Sequence, residues 1–338
     1  MPDDAPLNLI TDVAGLKVGQ AQDERIRSGV TVILPDERAV CACDVRGGAP
    51  GTRETDALAP ENLVDAVDAV VLSGGSVYGL AAADGVTAWL GAQGLGFRLA
   101  RVDGIPASPV IPAAILYDLA NGGAKDWGES PPYRELGLQA VRSAGRSFAL
   151  GTAGAGHGAM SGRIKGGLGS TSARDEPGGF TVGAIVAVNS GGSPVAPGGR
   201  TFWAAPFEVG DEFGGLGPAG LRAAPGEMGP AKGPASGRVN TTIACVATDA
   251  VLTPAEAKRV AIMAQDGLAR SLRPAHSPFD GDVVFALATG RRPLGERRMA
   301  DVSRLGALAA DCLARAVARG VYEATAWAGA DITCWRDL

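Results

Sequence analysis

From Pro194 to Arg238 the chain is dominated by Gly, Pro and Ala, in runs such as Gly214-Gly215-Leu216-Gly217-Pro218 and Gly229-Pro230-Ala231-Lys232-Gly233-Pro234. Such composition resists regular structure, because Pro removes a backbone donor and Gly loses the most conformational freedom on ordering. The segment stops abruptly at Asn240-Thr241-Thr242, where an apolar, strand-like run begins: Thr242-Ile243-Ala244-Cys245-Val246-Ala247. Any fold for this chain must accommodate a long irregular connection that feeds straight into a strand. The segment reads as a surface loop or linker, or as the tail of a first fragment that moves away once the chain is cut.

The second reading has a chemical basis. A hydroxyl residue at such a junction can attack the carbonyl of Asn240, cut the chain and leave Thr241 as a new N-terminus whose own amine serves as general base. The chain then divides into a first (alpha) fragment, residues 1–240, with a flexible tail from about 194 to 240, and a second (beta) fragment, 241–338, that begins with the nucleophile. Asn-Thr is a common dipeptide and Thr is at home in strands, so the junction alone leaves the structural alternative standing.

Composition narrows the function classes. With 338 residues, 46% of them hydrophobic, the chain forms one large or two medium domains with a substantial core. A net charge of -5 offers no electrostatic footprint for nucleic acid or an anionic membrane. The apolar stretch around Val70 to Ala83 is broken by Gly and Ser and falls short of a membrane span. The start, Met1-Pro2-Asp3-Asp4, lacks a basic region followed by an apolar one, which gives a cytoplasmic expectation.

Cysteine and histidine usage removes several chemistries. Cys41, Cys43, Cys245, Cys312 and Cys334 are odd in number and scattered, which fits reduced core thiols. Cys41 and Cys43 share one face of a strand, but nothing completes a zinc site. Only His157 and His276 exist. A two-histidine metal site has no spare ligand, and no Gly-x-Ser-x-Gly elbow is present for a Ser-His-Asp triad. Each histidine reads as a loop residue, His157 facing solvent or bracing its loop, and a chemistry without metal, cofactor or histidine is favoured.

Periodicity supplies a coarse map. Gly29 to Leu34 and Ala39 to Val45 read as adjacent short strands across a Pro35-Asp36 turn, and Ala69 to Ser73 as a strand entering a helix from Ser76 to Leu90. Tyr133 to Ala144 reads as helix and Thr181 to Val188 as a buried strand. After the strand from Thr241 come a helix from Pro254 to Leu272 with Thr253 as N-cap, a strand Val283 to Ala288, and a long helix from Asp301 to about Arg319. This is mixed α and β. The loop Ser73-Gly74-Gly75-Ser76 joins a strand to a helix, so it reads as an anion cradle, a pocket wall at Ser73, Gly74 and Gly75, or close helix-on-sheet packing; it matches neither common nucleotide motif. Lys165, flanked by Ile164 and Gly166-Gly167, is a solvated charge or, pointed at the Thr241 amine, a group that keeps that amine in its neutral, proton-accepting form.

Several segments in order carry a resemblance: Asp44-Val45-Arg46-Gly47-Gly48-Ala49-Pro50-Gly51-Thr52-Arg53-Glu54-Thr55-Asp56, then Leu72 to Val86, Lys165-Gly166-Gly167-Leu168-Gly169-Ser170, Val188-Asn189, Asn240-Thr241-Thr242-Ile243 with Ala247-Thr248-Asp249-Ala250, and Phe279-Asp280-Gly281-Asp282. Together they resemble the DmpA-like family of L-aminopeptidase/D-esterases, beta-aminopeptidases, pantetheine hydrolases and nylon-oligomer hydrolases. The resemblance implies an α/β (α+β) fold of four layers, alpha/beta/beta/alpha, shared with ornithine acetyltransferases. It implies Thr241 as nucleophile, Lys165 as catalytic lysine, Asn189 with Tyr117 as oxyanion hole, and Asp280 and Asp282 as the acidic pair that orients the threonine and its amine. It also implies a homo-oligomer of cleaved protomers. The expected substrates are small amides carrying a free amino group near the scissile bond, recognised by acidic groups lining the pocket. Alternatives are a 6-aminohexanoate or pantetheine-type amide hydrolase, an acyltransferase of the ornithine acetyltransferase kind, and a non-catalytic scaffold.

Overall fold

The computed structural model describes residues 5–99, 102–232 and 240–338; the reading of Met1 to Asp4 and the tail residues 233–239 lie outside the described residues. Two five-stranded sheets lie face to face. The first contains β1 (Leu16–Asp23), β2 (Ser28–Pro35), β5 (Val70–Ser73), β6 (Ala113–Ile115) and β4 (Thr52–Arg53) in that spatial order. The second runs β3 (Val40–Val45), β12 (Val283–Arg292), β11 (Thr241–Ala250), β10 (Phe180–Asn189) and β9 (Leu168–Asp175). A two-stranded ribbon, β7 (Met160–Ser161) and β8 (Ile164–Lys165), stands apart. Helices α1 (Ala82–Ala92) and α2 (Tyr133–Arg142) cover the outer face of the first sheet, and α3 (Pro254–Ser271) and α4 (Arg298–Tyr322) that of the second. The four-layer α/β/β/α arrangement expected for the chain is the one it adopts.

The central strands of the second sheet are apolar on both faces because both faces are covered. With side chains alternating along each strand, Ile185, Ala187, Ile243, Cys245 and Phe285 enter the layer between the sheets. Val186, Val188, Ala244, Val246 and Val284 enter the layer beneath α3 and α4. The same alternation turns Asn189 and Thr241, at the ends of β10 and β11, toward the space between the sheets.

Three local expectations change. The strands on either side of Pro35-Asp36 exist, but they do not pair: β2 lies between β1 and β5, whereas β3 crosses to the other sheet and pairs with β12. The helix expected from Ser76 begins as a 3-10 turn over Ser76–Ala81 and becomes α-helical only at Ala82. There Gly79 lies so close to the loop that a Cβ would stand 1.8 Å from the Gly74 carbonyl oxygen, which forces the tight first turn. The segment from Pro194 forms one 3-10 turn, Ala205–Phe207, among its described residues, as its composition requires. Its first half is nevertheless anchored rather than flexible: Phe202 and Phe213 are buried, Phe202 stacks on Trp335 at 5.3 Å, and Glu212 pairs with Arg315 at 2.6 Å.

Candidate active site

Strand register assembles the site. β10 runs antiparallel to β11 with Asn189 opposite Thr241, and β11 runs parallel to β12 in a register that an Asn240–Asp280 bridge extends backward. The end of β10, the start of β11 and the loop entering β12 therefore meet at one end of the second sheet. Asn189, Thr241, Asp280 and Asp282 are all buried there.

Thr241 Oγ1 donates to the Asn240 carbonyl oxygen at 2.5 Å, and the Gly281 amide donates to the same oxygen at 2.9 Å. Two donors thus polarise the carbonyl that joins Asn240 to Thr241. A Cβ at position 281 would stand 2.8 Å from both Thr241 Oγ1 and the Ala49 carbonyl oxygen, so only glycine lets this loop approach so closely.

The two aspartates are held differently. Asp282 accepts from the Thr242 amide at 2.8 Å through Oδ1, and from the amide and Nδ1 of His276, both at 2.9 Å, through Oδ2. Asp280 accepts from the Ser277 amide at 2.8 Å through Oδ2, while its buried Oδ1 has no well-formed hydrogen bond among the described residues. Burial first, and the neighbouring Asp282 second, push the Asp280 carboxyl above the ordinary carboxylate range.

Asn189 is clamped. The Met160 amide donates to its Oδ1 at 3.0 Å, and since an amide N–H only donates, the other side-chain atom is nitrogen; it donates to the Tyr117 carbonyl at 2.9 Å. Asn121 adds a second donor to Oδ1 at 3.1 Å. Among the described residues the second Asn189 side-chain N–H has no acceptor.

Lys165 is fully buried. Its ammonium donates to the carbonyls of Ala159 at 2.9 Å, Gly166 at 2.8 Å and Gly156 at 3.4 Å, and lies 4.7 Å from the centre of the Trp327 ring. Burial pulls its pKa down to about 7. Among the described residues these contacts reach neither Thr241 nor the aspartates. The link to the site runs through the ribbon, where Met160 pairs with Lys165 and also holds Asn189.

Tyr117 follows β6 in the facing sheet and lines a cleft of about 250 Å³ with Ala49, Pro50, Gly51, Ser76, Val77, Leu80, Ile115 and Thr241. Among the described residues the acidic lining expected for this pocket is absent: Asp280 and Asp282 do not line it, Asp282 being committed to the contacts above while Asp280 keeps Oδ1 open. Ser73, Gly74 and Gly75 also stand outside it. The Gly74 amide is spent on the Gly29 carbonyl, the Gly75 amide on Asp118 and the Ser76 amide on the Leu116 carbonyl, so the loop has none left for an anion. The cleft wall starts at Ser76.

Three residues here escaped sequence reasoning: Asn121 and Asp118, which closely follow the apolar run ending at Leu116, and His276, which read only as a loop residue between prolines. The polar pair Asp118 and Asn121 right after Tyr117 was the available signal. His157, by contrast, is buried with Nδ1 3.3 Å from the Thr152 carbonyl, so it braces its loop rather than facing solvent. All five cysteines are free. Among the described residues no group of three or more His, Cys, Asp or Glu is placed to hold a metal ion, and no helix is long and apolar enough to cross a membrane.

Two facing sheets between helical layers, with Thr241 buried at the head of a central strand, set the class of fold in which this site lies. The chain belongs to peptidase family S58, whose sequence pattern matches residues 8–334, and it is an amide- or peptide-bond hydrolase of aminopeptidase type. It is 44% identical over 349 residues to an uncharacterized aminopeptidase of Mycobacterium tuberculosis, covering 98% of each chain. It is 27% identical over 332 residues to a 6-aminohexanoate-oligomer endohydrolase of Kocuria sp., covering 90% of this chain and 84% of the relative. In fold it matches the L-aminopeptidase D-Ala-esterase/amidase of Ochrobactrum anthropi with a TM-score of 0.71 at 20% identity, over 98% of this chain and 91% of that one.

Proposed function

We propose that this hydrolase cuts itself between Asn240 and Thr241 and then uses Thr241 as the nucleophile toward small amides. The observation that supports this best is the double grip on the Asn240 carbonyl oxygen by Thr241 Oγ1 and the Gly281 amide. In self-cleavage Thr241 Oγ attacks the Asn240 carbonyl carbon, and the Gly281 amide steadies the oxygen as it gains charge. The C–N bond then breaks, the nitrogen takes the proton that leaves the hydroxyl, and water hydrolyses the resulting ester.

In turnover the freed amine, with an ordinary pKa of about 7.7 to 8.0, takes the Thr241 proton as Oγ attacks the substrate carbonyl. The unspent N–H of Asn189, with Tyr117 alongside, supports the oxyanion. The amine passes its proton to the leaving nitrogen, and water releases the acyl group. Asp282 orients the start of β11 through the Thr242 amide, and the open oxygen of Asp280 takes the new amine. Lys165 acts at one remove, by fixing the ribbon that holds Asn189. The substrates include amides that carry a free amino group, and the cleft decides where along the acyl chain that group can stand.

Hydrolysis of p-nitroanilides by the wild type and Thr241→Ala tests this reading. Loss of at least about 10³ in kcat is expected, because the nucleophile and its base disappear together; wild-type turnover in Thr241→Ala would contradict it.

A further inference from the structure

We infer that Asn121 is a positioning residue for the oxyanion hole: it fixes which way the Asn189 amide faces, and so keeps an N–H rather than an oxygen available to the reacting carbonyl. This rests on Thr241 being the nucleophile and Asn189 an oxyanion donor, as proposed above. An asparagine amide has two ends of similar size and opposite polarity, and half a turn exchanges donor for acceptor with little change in packing. Only one of these orientations supports an oxyanion, so something must set it.

The two ends of the Asn189 amide are gripped by the two ends of one turn, Tyr117 to Asn121, which follows β6 in the facing sheet. The Tyr117 carbonyl accepts from Asn189 Nδ2 at 2.9 Å, and Asn121 Nδ2 donates to Asn189 Oδ1 at 3.1 Å. The polarity of the second contact is fixed independently on each side. Asn121 Nδ2 also donates to the Gly158 carbonyl at 2.9 Å, and since a carbonyl only accepts, the Asn121 atom that faces Asn189 is nitrogen. The Met160 amide does the same for Asn189 Oδ1. Reversing Asn189 would set N–H against N–H at Asn121 and Met160 and oxygen against oxygen at Tyr117, in a buried site where an unmade hydrogen bond carries its full desolvation penalty. Asn121 is itself held: it is buried, its amide donates to the Asp118 carbonyl at 3.0 Å, and Asp118 accepts from the Gly75 amide and the Ser28 hydroxyl, each at 2.7 Å. Gly158 lies so near this turn that a Cβ there would stand 2.4 Å from Asp118 Oδ2. The neighbouring carbonyls have other donors, Lys165 for Gly156 and Ala159 and the Trp327 indole for His157. Asn121 and Lys165 therefore grip one loop, and both reach Asn189, Asn121 directly and Lys165 by way of Met160.

The test is a double-mutant cycle on p-nitroanilide hydrolysis, pairing Asn189→Ala with Asn121→Leu, which keeps the branched shape and removes both donors. Expected for Asn121→Leu is a fall of at least about tenfold in kcat with KM within about twofold, because the orientation of Asn189 matters only as the oxyanion forms. In the Asn189→Ala background, itself lower by about 10², the same change should cost less than about twofold, since no amide is left to orient. Asn121→Ala takes its place in the cycle if Asn121→Leu does not fold. Wild-type kcat in the Asn121 variant, a loss carried by KM, or an equal loss in both backgrounds overturns the inference while the nucleophile reading stands. Both single variants should still self-cleave, because the Gly281 amide holds the Asn240 oxygen in that step. If Asn189→Ala stays uncut, Asn189 serves self-cleavage as well, and the Asn121 variant must then slow that step at least about tenfold; a normal rate overturns the inference equally. Wild-type kcat in Asn189→Ala, or anilides cleaved equally by Thr241→Ala, instead sinks the reading beneath it.

Discussion

A lysine sealed under an indole ring, with backbone carbonyls as its only hydrogen-bond partners among the described residues, carries its charge at a cost. Burial brings the Lys165 pKa to about 7, against about 10.4 in an unfolded chain. Below about pH 7 both states hold the proton, and the penalty on the fold is fully present. Between about pH 7 and 10 the unfolded chain binds more protons, so stability rises with pH. His157, Cys334 and Asp118 share this surrounding, and comparing wild type with Lys165→Met cancels most of their contribution. The wild type should gain about 2 kcal/mol over the variant between pH 7 and 9 in denaturant unfolding; parallel curves would place the ammonium in solvent. In activity, Lys165→Ala should lower processing or turnover by about 10² with little change in KM. On the proposed reading its route is indirect, through Met160 and Asn189. Asp282→Asn should also impair processing more than thermal stability, because Asp282 fixes both the Thr242 amide and His276.

Elements that carry their own local signals were legible in the sequence. Thr253 caps α3 with a reciprocal bond to Glu256, and the helix ends at Ser271, one residue before the expected limit. β10, β11 and β12 were legible as strands because burial on both faces makes them apolar throughout. Sheet membership was not: nothing local to Ser28–Pro35 and Val40–Val45 encodes that their partners are β1 and β5 on one side and β12 on the other. The anchoring of the Gly/Pro-rich segment was hidden for a similar reason, since Phe202 and Phe213 find Trp335 and α4 only in the folded chain. Of the site, the residue identities came from the resemblance, whereas the opposition of Asn189 and Thr241 is a product of register. Phe202→Ala should cost about 3 to 5 kcal/mol in denaturant unfolding. Gly169→Ala should destabilise as well, because a Cβ there would stand 1.8 Å from the Ala316 carbonyl oxygen and lift α4 off β9. Wild-type stability in either variant would mean that α4 packs less tightly than this.

On the scale of the whole molecule, the proposed cut falls between strands of one sheet. β11 opens the second fragment yet is bonded to β10 of the first, and β12 of the second is bonded to β3 of the first. The layer between the sheets and the layer beneath α3 and α4 both draw on residues from each side of Asn240. The two pieces should therefore remain one folded body after cleavage, co-eluting under native conditions and separating only in denaturant. The homo-oligomer that the resemblance implies would be an assembly of such cleaved bodies, and native mass gives its number. Intact mass under denaturing conditions addresses the central claim most directly. Dividing 34.0 kDa in proportion to 240 and 98 of 338 residues predicts fragments of about 24 and 10 kDa, the smaller beginning at Thr241, with Thr241→Ala remaining a single chain. A wild-type protein that hydrolyses amides while keeping one uncut chain after prolonged incubation would contradict it.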